Sequence, residues 1–437
     1  MSRHLNALIS SSQLRQTLLF DRGQVGFGLD SVRETIVGVT MPRTAKPHFI
    51  LAVDFGGSST KIFYQHRSDQ PQFFTMPPEA IMATEDSLEQ YGRTAAGQMS
   101  QMQSQASFCW VQLLDQKGQP DESKIGAVGH LGAQIALYNT LNVAKNEKAL
   151  YKLLGAVWVI QQRLIEEGYK IPDDFGVAVR CLLPSDETNF VGDFQYRVIS
   201  AFEQGFMSPT GIVQPQLWSF DCKPEGLGVT RSFLWEHPEH RDAAVFMLGH
   251  RNATAVVIRG GNPKKFRTSN LGFRACLDML DGAHGVSAER LMAVVFEARL
   301  KDDFYPYYRV TSYSDPDLKE KAGRELCQEF NKANHVYCER LKNWMDDVLS
   351  DEEFTAIVFC GGGVNAVGLL LEDYRPDLEH YFDYGIDIPD SIEVRPEYVN
   401  RLEDIYSVFE AMRAEFRFPE PDAEAAESSA SSAAVAR

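Results

Sequence analysis

The segment Ile50-Leu51-Ala52-Val53-Asp54-Phe55-Gly56-Gly57-Ser58-Ser59-Thr60-Lys61-Ile62-Phe63-Tyr64 gathers residue types that can do chemistry. Four apolar residues run into a carboxylate, a turn of small residues follows, and a lysine opens a second apolar stretch. This pattern predicts a β-hairpin whose tip is poor in side chains. Small residues let backbone N–H groups come close to an anion. Asp54, at the end of the first strand, can hold a hydrated Mg²⁺. Lys61, at the start of the second, can reach phosphates. The chemistry suggested is nucleotide binding. The alternative is a glycine-rich turn with a structural role only.

Other elements must position this hairpin. Gly176 to Leu183 reads as a buried strand ended by Pro184. Ala243 to Leu248 and Ala253 to Ile258 read as two strands around a short turn, and Ala356 to Phe359 as a buried strand running into Gly361-Gly362-Gly363. Helical spacing fills 141–168, 287–300, 317–349 and 399–415. The alternation predicts an α/β protein. The two strand–turn–strand units suggest two related halves, with similarity too weak to define a repeat.

The 437 residues, 44% hydrophobic, suffice for two or more domains with full cores. A formal net charge of −17 argues against general nucleic-acid affinity, which needs a positive surface. The seven cysteines are odd in number, widely spaced and without a C-x-x-C pair. They read as free thiols in a reducing compartment. No apolar run approaches the ~20 residues of a membrane span, and the N-terminus lacks a signal-type apolar core. A cytoplasmic protein is expected. Residues 1–46 form a basic extension, with Arg3, Arg15, Arg22, Arg33, Arg43 and Lys46 against Asp21, Asp30 and Glu34. It can touch an acidic surface such as a neighbouring subunit, be poorly ordered, or precede a later start at Met41. Leu5, Leu8, Ile9 and Leu18 hint at an amphipathic helix within it. Residues 419–437 lack aromatics and are expected to be a disordered tail.

In this order the elements resemble the actin-like ATPase superfamily, most nearly the bacterial ParM/StbA-type proteins of plasmid segregation, over roughly residues 48–410. The first hairpin resembles the family's first phosphate loop, with Asp54, Gly56, Gly57, Ser58, Ser59, Thr60 and Lys61. The segment Ala356 to Asn365 resembles the adenosine motif. The resemblance implies that Gly361, Gly362 and Gly363 lie against adenine and ribose, where no side chain would fit, with Asn365 beside them. Leu183-Pro184-Ser185-Asp186-Glu187 resembles an L-P-x-x-E element, which makes Glu187 the candidate to position the attacking water. A surface acid in a polar turn is the other reading. Pro396 to Tyr406 resembles, more weakly, the helix start that follows. The lysines of the helix holding Lys145, Lys148 and Lys152 are expected on a solvated face.

One motif departs from the family. The second phosphate hairpin reads Gly249-His250-Arg251-Asn252-Ala253-Thr254, and Met247 stands where relatives place an aspartate that contacts the metal-bound water. A methionine cannot hold a hydrated Mg²⁺. Arg251 can pair with phosphate directly, and His250 can donate to the same oxygens; either can instead sit in a solvated turn.

The resemblance implies an α/β, actin-like (ribonuclease-H-like) two-lobed fold with nucleotide in the interlobe cleft. Lobe I is expected at 47–195, with a variable subdomain at about 65–125 holding a small core around Phe73, Phe74, Phe108 and Trp110. Lobe II is expected at 196–365, and helices at 366–418 returning to lobe I. ATP or GTP is the implied ligand, with Mg²⁺ held by Asp54. The implied activity is a weak ATPase coupled to a head-to-tail homopolymer, in DNA or plasmid segregation or another cytoskeletal role. A DNA-binding adaptor protein, rather than direct contact with nucleic acid, is the implied partner. Two alternatives stand beside it. One is a sugar-type kinase, with Asp186 the only obvious base. The other is a filament scaffold without turnover.

Overall fold

The apolar run at 49–55 is buried on both faces, and the rest of the architecture follows from covering it. In the computed structural model, which describes residues 46–67, 69–90, 109–136, 145–283, 285–350, 353–382, 388–394 and 401–418, this run is strand β1 (Phe49–Phe55). Strands β2 (Thr60–His66) and β3 (Gln72–Met76) follow it antiparallel. β4 (Ala80–Ala83), β5 (Cys109–Leu114) and β6 (Pro120–Val128) precede helix α1 (Lys145–Glu166). β7 (Gly176–Leu183) then returns parallel to β1. Helix α2 (Val191–Gln204) and the short hairpin β8 (Phe206–Ser208) and β9 (Gly211–Val213) lead to β10 (Gln216–Pro224), parallel to β7.

Helix α3 (Leu227–Glu236) closes the first half of the chain. Strands β11 (Ala243–Leu248), β12 (Ala253–Arg259) and β13 (Asn262–Ser269) form an antiparallel meander. Helices α4 (Ala288–Lys301) and α5 (Pro316–Leu349) carry the chain to β14 (Ala356–Cys360), parallel to β11. Asp315 starts α5 by accepting hydrogen bonds from the Asp317 and Leu318 amides, with Pro316 in the first turn. Helix α6 (Val364–Leu371), β15 (Glu379–Phe382) and helix α7 (Glu403–Phe416) complete it. The first sheet runs β10-β7-β1-β2-β3 and the second β13-β12-β11-β14-β15. Read from the meander edge, the two have the same order and the same strand directions. The two halves share one topology.

Alternate residues of β1 serve two different cores, as a strand's period of two requires. Phe49, Leu51, Val53 and Phe55 pack with Leu153, Val157 and Ile160 of α1. Ile50 and Ala52 pack with Ile405, Tyr406 and Phe409 of α7. In the second sheet, Ala244, Phe246 and Leu248 face the core built on α5, while Ala243 and Val245 face Val229 and Phe233 of α3. The final helix of each half therefore covers the sheet of the other. Where α3 and α7 cross, a Cβ on Gly228 would lie 2.2 Å from the Asp404 carbonyl oxygen, and Ser232 and Ser407 hydroxyls meet at 3.0 Å.

The expected boundaries shift accordingly. The break at 195/196 falls inside α2, and the first sheet extends to β10, because β10 finds its partner in β7. The break at 365/366 falls inside α6, and the second sheet extends to β15. The subdomain at 65–125 is replaced by a third sheet, β4-β6-β5-β8-β9, while β2 and β3 stay in the first sheet through Met76. Among the described residues it has no core of its own. Cys109, Val111 and Phe74 belong to the first-half core, Phe73 packs against the α7 side, and Phe108 lies outside the described residues. The expectations for 1–45 and 419–437 also lie outside them. Lys152, expected on a solvated face, is buried within α1. Among the described residues, no helix is long and apolar enough to cross a membrane.

The crossing yields a prediction. Gly228→Ala must push α7 backbone away, so it is expected to lower the unfolding free energy by ~1–3 kcal/mol. Denaturant melts measure it; unchanged stability would mean that the crossing relaxes freely.

Candidate functional site

β1 and β2 pair so that Asp54 stands opposite Lys61. Their side chains form an ion pair at 2.5 Å, largely shielded from solvent. The turn between them is tight, and a Cβ on Gly56 would lie 2.6 Å from the Ser59 carbonyl oxygen. Asp54, Gly56, Gly57, Ser58 and Lys61 line a cleft between the two sheets. Ser59 and Thr60 are buried and outside that wall.

The hairpin of β11 and β12 faces it in the same register, with Met247 opposite Thr254. Gly249, His250, Arg251 and Asn252 line the cleft, as does Met247. The carbonyls of Gly249, His250 and Arg251 accept hydrogen bonds from the amides of Phe273, Arg274 and Gly272, which ties the loop down from behind. Thr254 is buried in β12, outside the cleft wall, and among the described residues its hydroxyl has no hydrogen-bond partner.

Gly361, Gly362 and Gly363 follow β14 and line a third side. The requirement for glycine here differs in part from the one expected. Gly361 has φ of +87°, and Cβ atoms on Gly361 and Gly363 would lie 2.9 and 2.8 Å from the Leu248 carbonyl oxygen. These two are glycines because β11 backbone presses on them. Gly362 instead faces the side chain of Arg401, whose Cγ would lie 2.7 Å from an added Cβ. Asn365, in α6, is half-buried and outside the cleft wall.

Glu187 sits on the 3-10 turn Ser185–Phe190 that follows β7. It is buried and not part of the cleft wall, but its carboxylate lies 3.8 Å from the Arg251 guanidinium. Beside this pair, the hydroxyls of Ser185 and Thr268 meet at 2.8 Å. The two halves thus touch at a clasp as well as at the helix crossing.

Several cleft residues were not anticipated. Arg401, Glu403 and Asp404 come from the start of α7, and Glu225 from the end of β10. The available signal was charged residues just ahead of an apolar-periodic run, which marks a helix start but not what the helix start faces. Arg401 donates to the Ser58 hydroxyl, across the cleft from Gly362. Asp404 accepts hydrogen bonds from the amides of Gly226 and Gly228 at 2.7 Å and of Val229 at 3.2 Å. It caps α3 with a carboxylate borrowed from another helix, where the helix dipole favours negative charge. Burial pushes its pKa up to about 7; the Gly226 and Val229 amides oppose this, and Asp54 and Glu225 reinforce it.

The direction of that shift gives a second prediction. A carboxyl whose folded pKa exceeds its ordinary 3.8 binds more protons folded than unfolded between that value and about 7. Its contribution to stability therefore falls as pH rises through this window and levels off above it. Asp404→Asn is expected to remove that part of the slope. Denaturant melts of both proteins between about pH 4 and pH 8 measure the difference, and parallel profiles would refute it.

No family model matches the chain, and no curated protein does. Among solved structures it is similar to Bacillus thuringiensis ParM with ATP, at 13% identity and a TM-score of 0.50, covering 84% of this chain and 100% of that one. It is equally similar to the same ParM with ADP, at 12% identity and a TM-score of 0.50, covering 84% and 99%. The α/β fold is the actin-like one that the motifs implied.

Proposed function

We propose that this chain of actin-like fold closes its two lobes on a nucleoside triphosphate and assembles head to tail into a filament. The observation that carries the reading is that three glycine-bearing turns, at Gly56, Gly249 and Gly361, come from both lobes and face one cleft. Bacillus thuringiensis ParM, solved with ATP and with ADP, has the same fold. In this reading the phosphates lie between the two hairpins, with Lys61 beside them and the base toward Gly361–Gly363 and the apolar side chains of Met292 and Phe296.

Asp54 is the carboxylate the sequence offers to Mg²⁺, but Lys61 already engages it at 2.5 Å. Glu187 would orient the attacking water. Two features favour slow turnover. Met247 offers no acidic contact, and Arg251 already engages the Glu187 carboxylate. A filament results because a heterologous head-to-tail contact repeats without closing. The acidic net charge favours cargo held through an adaptor protein over direct contact with DNA. The kinase alternative loses its only obvious base, since Asp186 is exposed and outside the cleft wall.

Sedimentation of the purified protein with Mg-ATP, Mg-ADP and no nucleotide, with negative-stain imaging of the pellets, tests this reading. Filaments that require ATP are expected. Absence of polymer in every state would overturn it, and polymer indifferent to nucleotide would select the scaffold.

A further inference from the structure

The two hairpins share a register and carry opposite chemistry. Asp54 opposite Lys61 and Met247 opposite Thr254 enclose loops of equal length. Matching them position by position sets Met247 on Asp54, Thr254 on Lys61, His250 on Gly57 and Arg251 on Ser58. The second hairpin therefore lacks both members of the strand-borne ion pair and carries its charge at the loop tip instead. A second guanidinium reaches the same space from the turn just before α7. Arg401 lies across Gly362 and donates to Ser58, at the first loop's counterpart of Arg251.

The two hairpins, at Asp54 and Met247, offer a divalent cation poor donors. Mg²⁺ needs hard oxygen ligands, and a thioether is not one. The Asp54 carboxylate is engaged by Lys61 at 2.5 Å. Among the described residues, no group of three or more His, Cys, Asp or Glu side chains is placed to hold a metal ion. Guanidinium groups, by contrast, are permanently charged and pair with phosphate oxygens through two parallel N–H donors.

We propose that Arg251 and Arg401 form a clamp on the polyphosphate, one from each side of the cleft, and that the nucleotide is retained without a divalent cation. The inference rests on the nucleotide reading above. On binding, Arg251 exchanges the Glu187 carboxylate for phosphate oxygen and Arg401 exchanges the Ser58 hydroxyl, so each guanidinium trades one partner for a more highly charged one.

Calorimetric titration of the full-length, metal-stripped protein with ATP, in Mg²⁺ and in EDTA, tests it. The dissociation constants are expected to agree within about tenfold. Each of Arg251→Ala and Arg401→Ala is expected to weaken binding in EDTA by about tenfold or more, the scale of a charged hydrogen bond. Arg251→Lys and Arg401→Lys, which keep the charge but lose the fork, should fall between; circular dichroism establishes that each variant is folded. Wild-type binding in Mg²⁺ that disappears in EDTA would overturn the clamp and leave the nucleotide site standing. Binding in EDTA that is indifferent to all four substitutions would overturn it too. No binding in either condition would overturn both the clamp and the nucleotide reading.

Discussion

The final helix of each half lies on the sheet of the other half, and the two helices cross where Gly228 leaves no room for a side chain. Separating the lobes would strip an apolar face from both sheets at once, so they are tied by hydrophobic burial rather than by a linker. The crossing is also polar at one point. Asp404 of α7 satisfies amides at the start of α3 that would otherwise be buried without partners. The same turn of α7 places Arg401 and Glu403 in the cleft. A shift at the crossing therefore moves cleft residues directly. The second contact between lobes, Ser185 with Thr268 and Glu187 with Arg251, is small and polar. It is the part of the interface that a change in the cleft would disturb first.

Against that symmetric frame the site is asymmetric. One hairpin holds a carboxylate–amine pair on its strands, and its twin holds methionine and threonine there with arginine and histidine at the tip. Shape is kept in both, since Gly56 and Gly249 each lie too close to a backbone oxygen to carry a side chain. What changes is where charge sits. Charge on a strand pair is fixed by the ladder, whereas charge on a loop tip can change partners. The second hairpin is thus better suited to gripping an anion than to ordering a metal's water shell.

The sequence made the strands legible because β1, β7, β11 and β14 are sandwiched between helices and read as unbroken apolar runs. Long helices such as α5 were legible from their period. The first hairpin was legible as a hairpin from its local pattern alone. Long-range pairing was not legible. Nothing near Gln216–Pro224 states that it joins β7, and nothing near Phe206–Val213 states that it extends a sheet begun at Ala80. Arg401 and Asp404 were missed for a similar reason, since their partners lie hundreds of residues away in sequence. The glycine run after β14 was expected to make room for adenine and ribose, whereas two of its members make room for Leu248.

Phosphate binding between the twin hairpins is tested most directly by an experimental structure with a non-hydrolysable triphosphate bound. The expected result is phosphate density between the Gly56–Ser58 and Gly249–Asn252 turns, with the base toward Gly361–Gly363. Ligand density elsewhere, with the cleft still spanned by the Arg401–Ser58 and Arg251–Glu187 contacts, would contradict it.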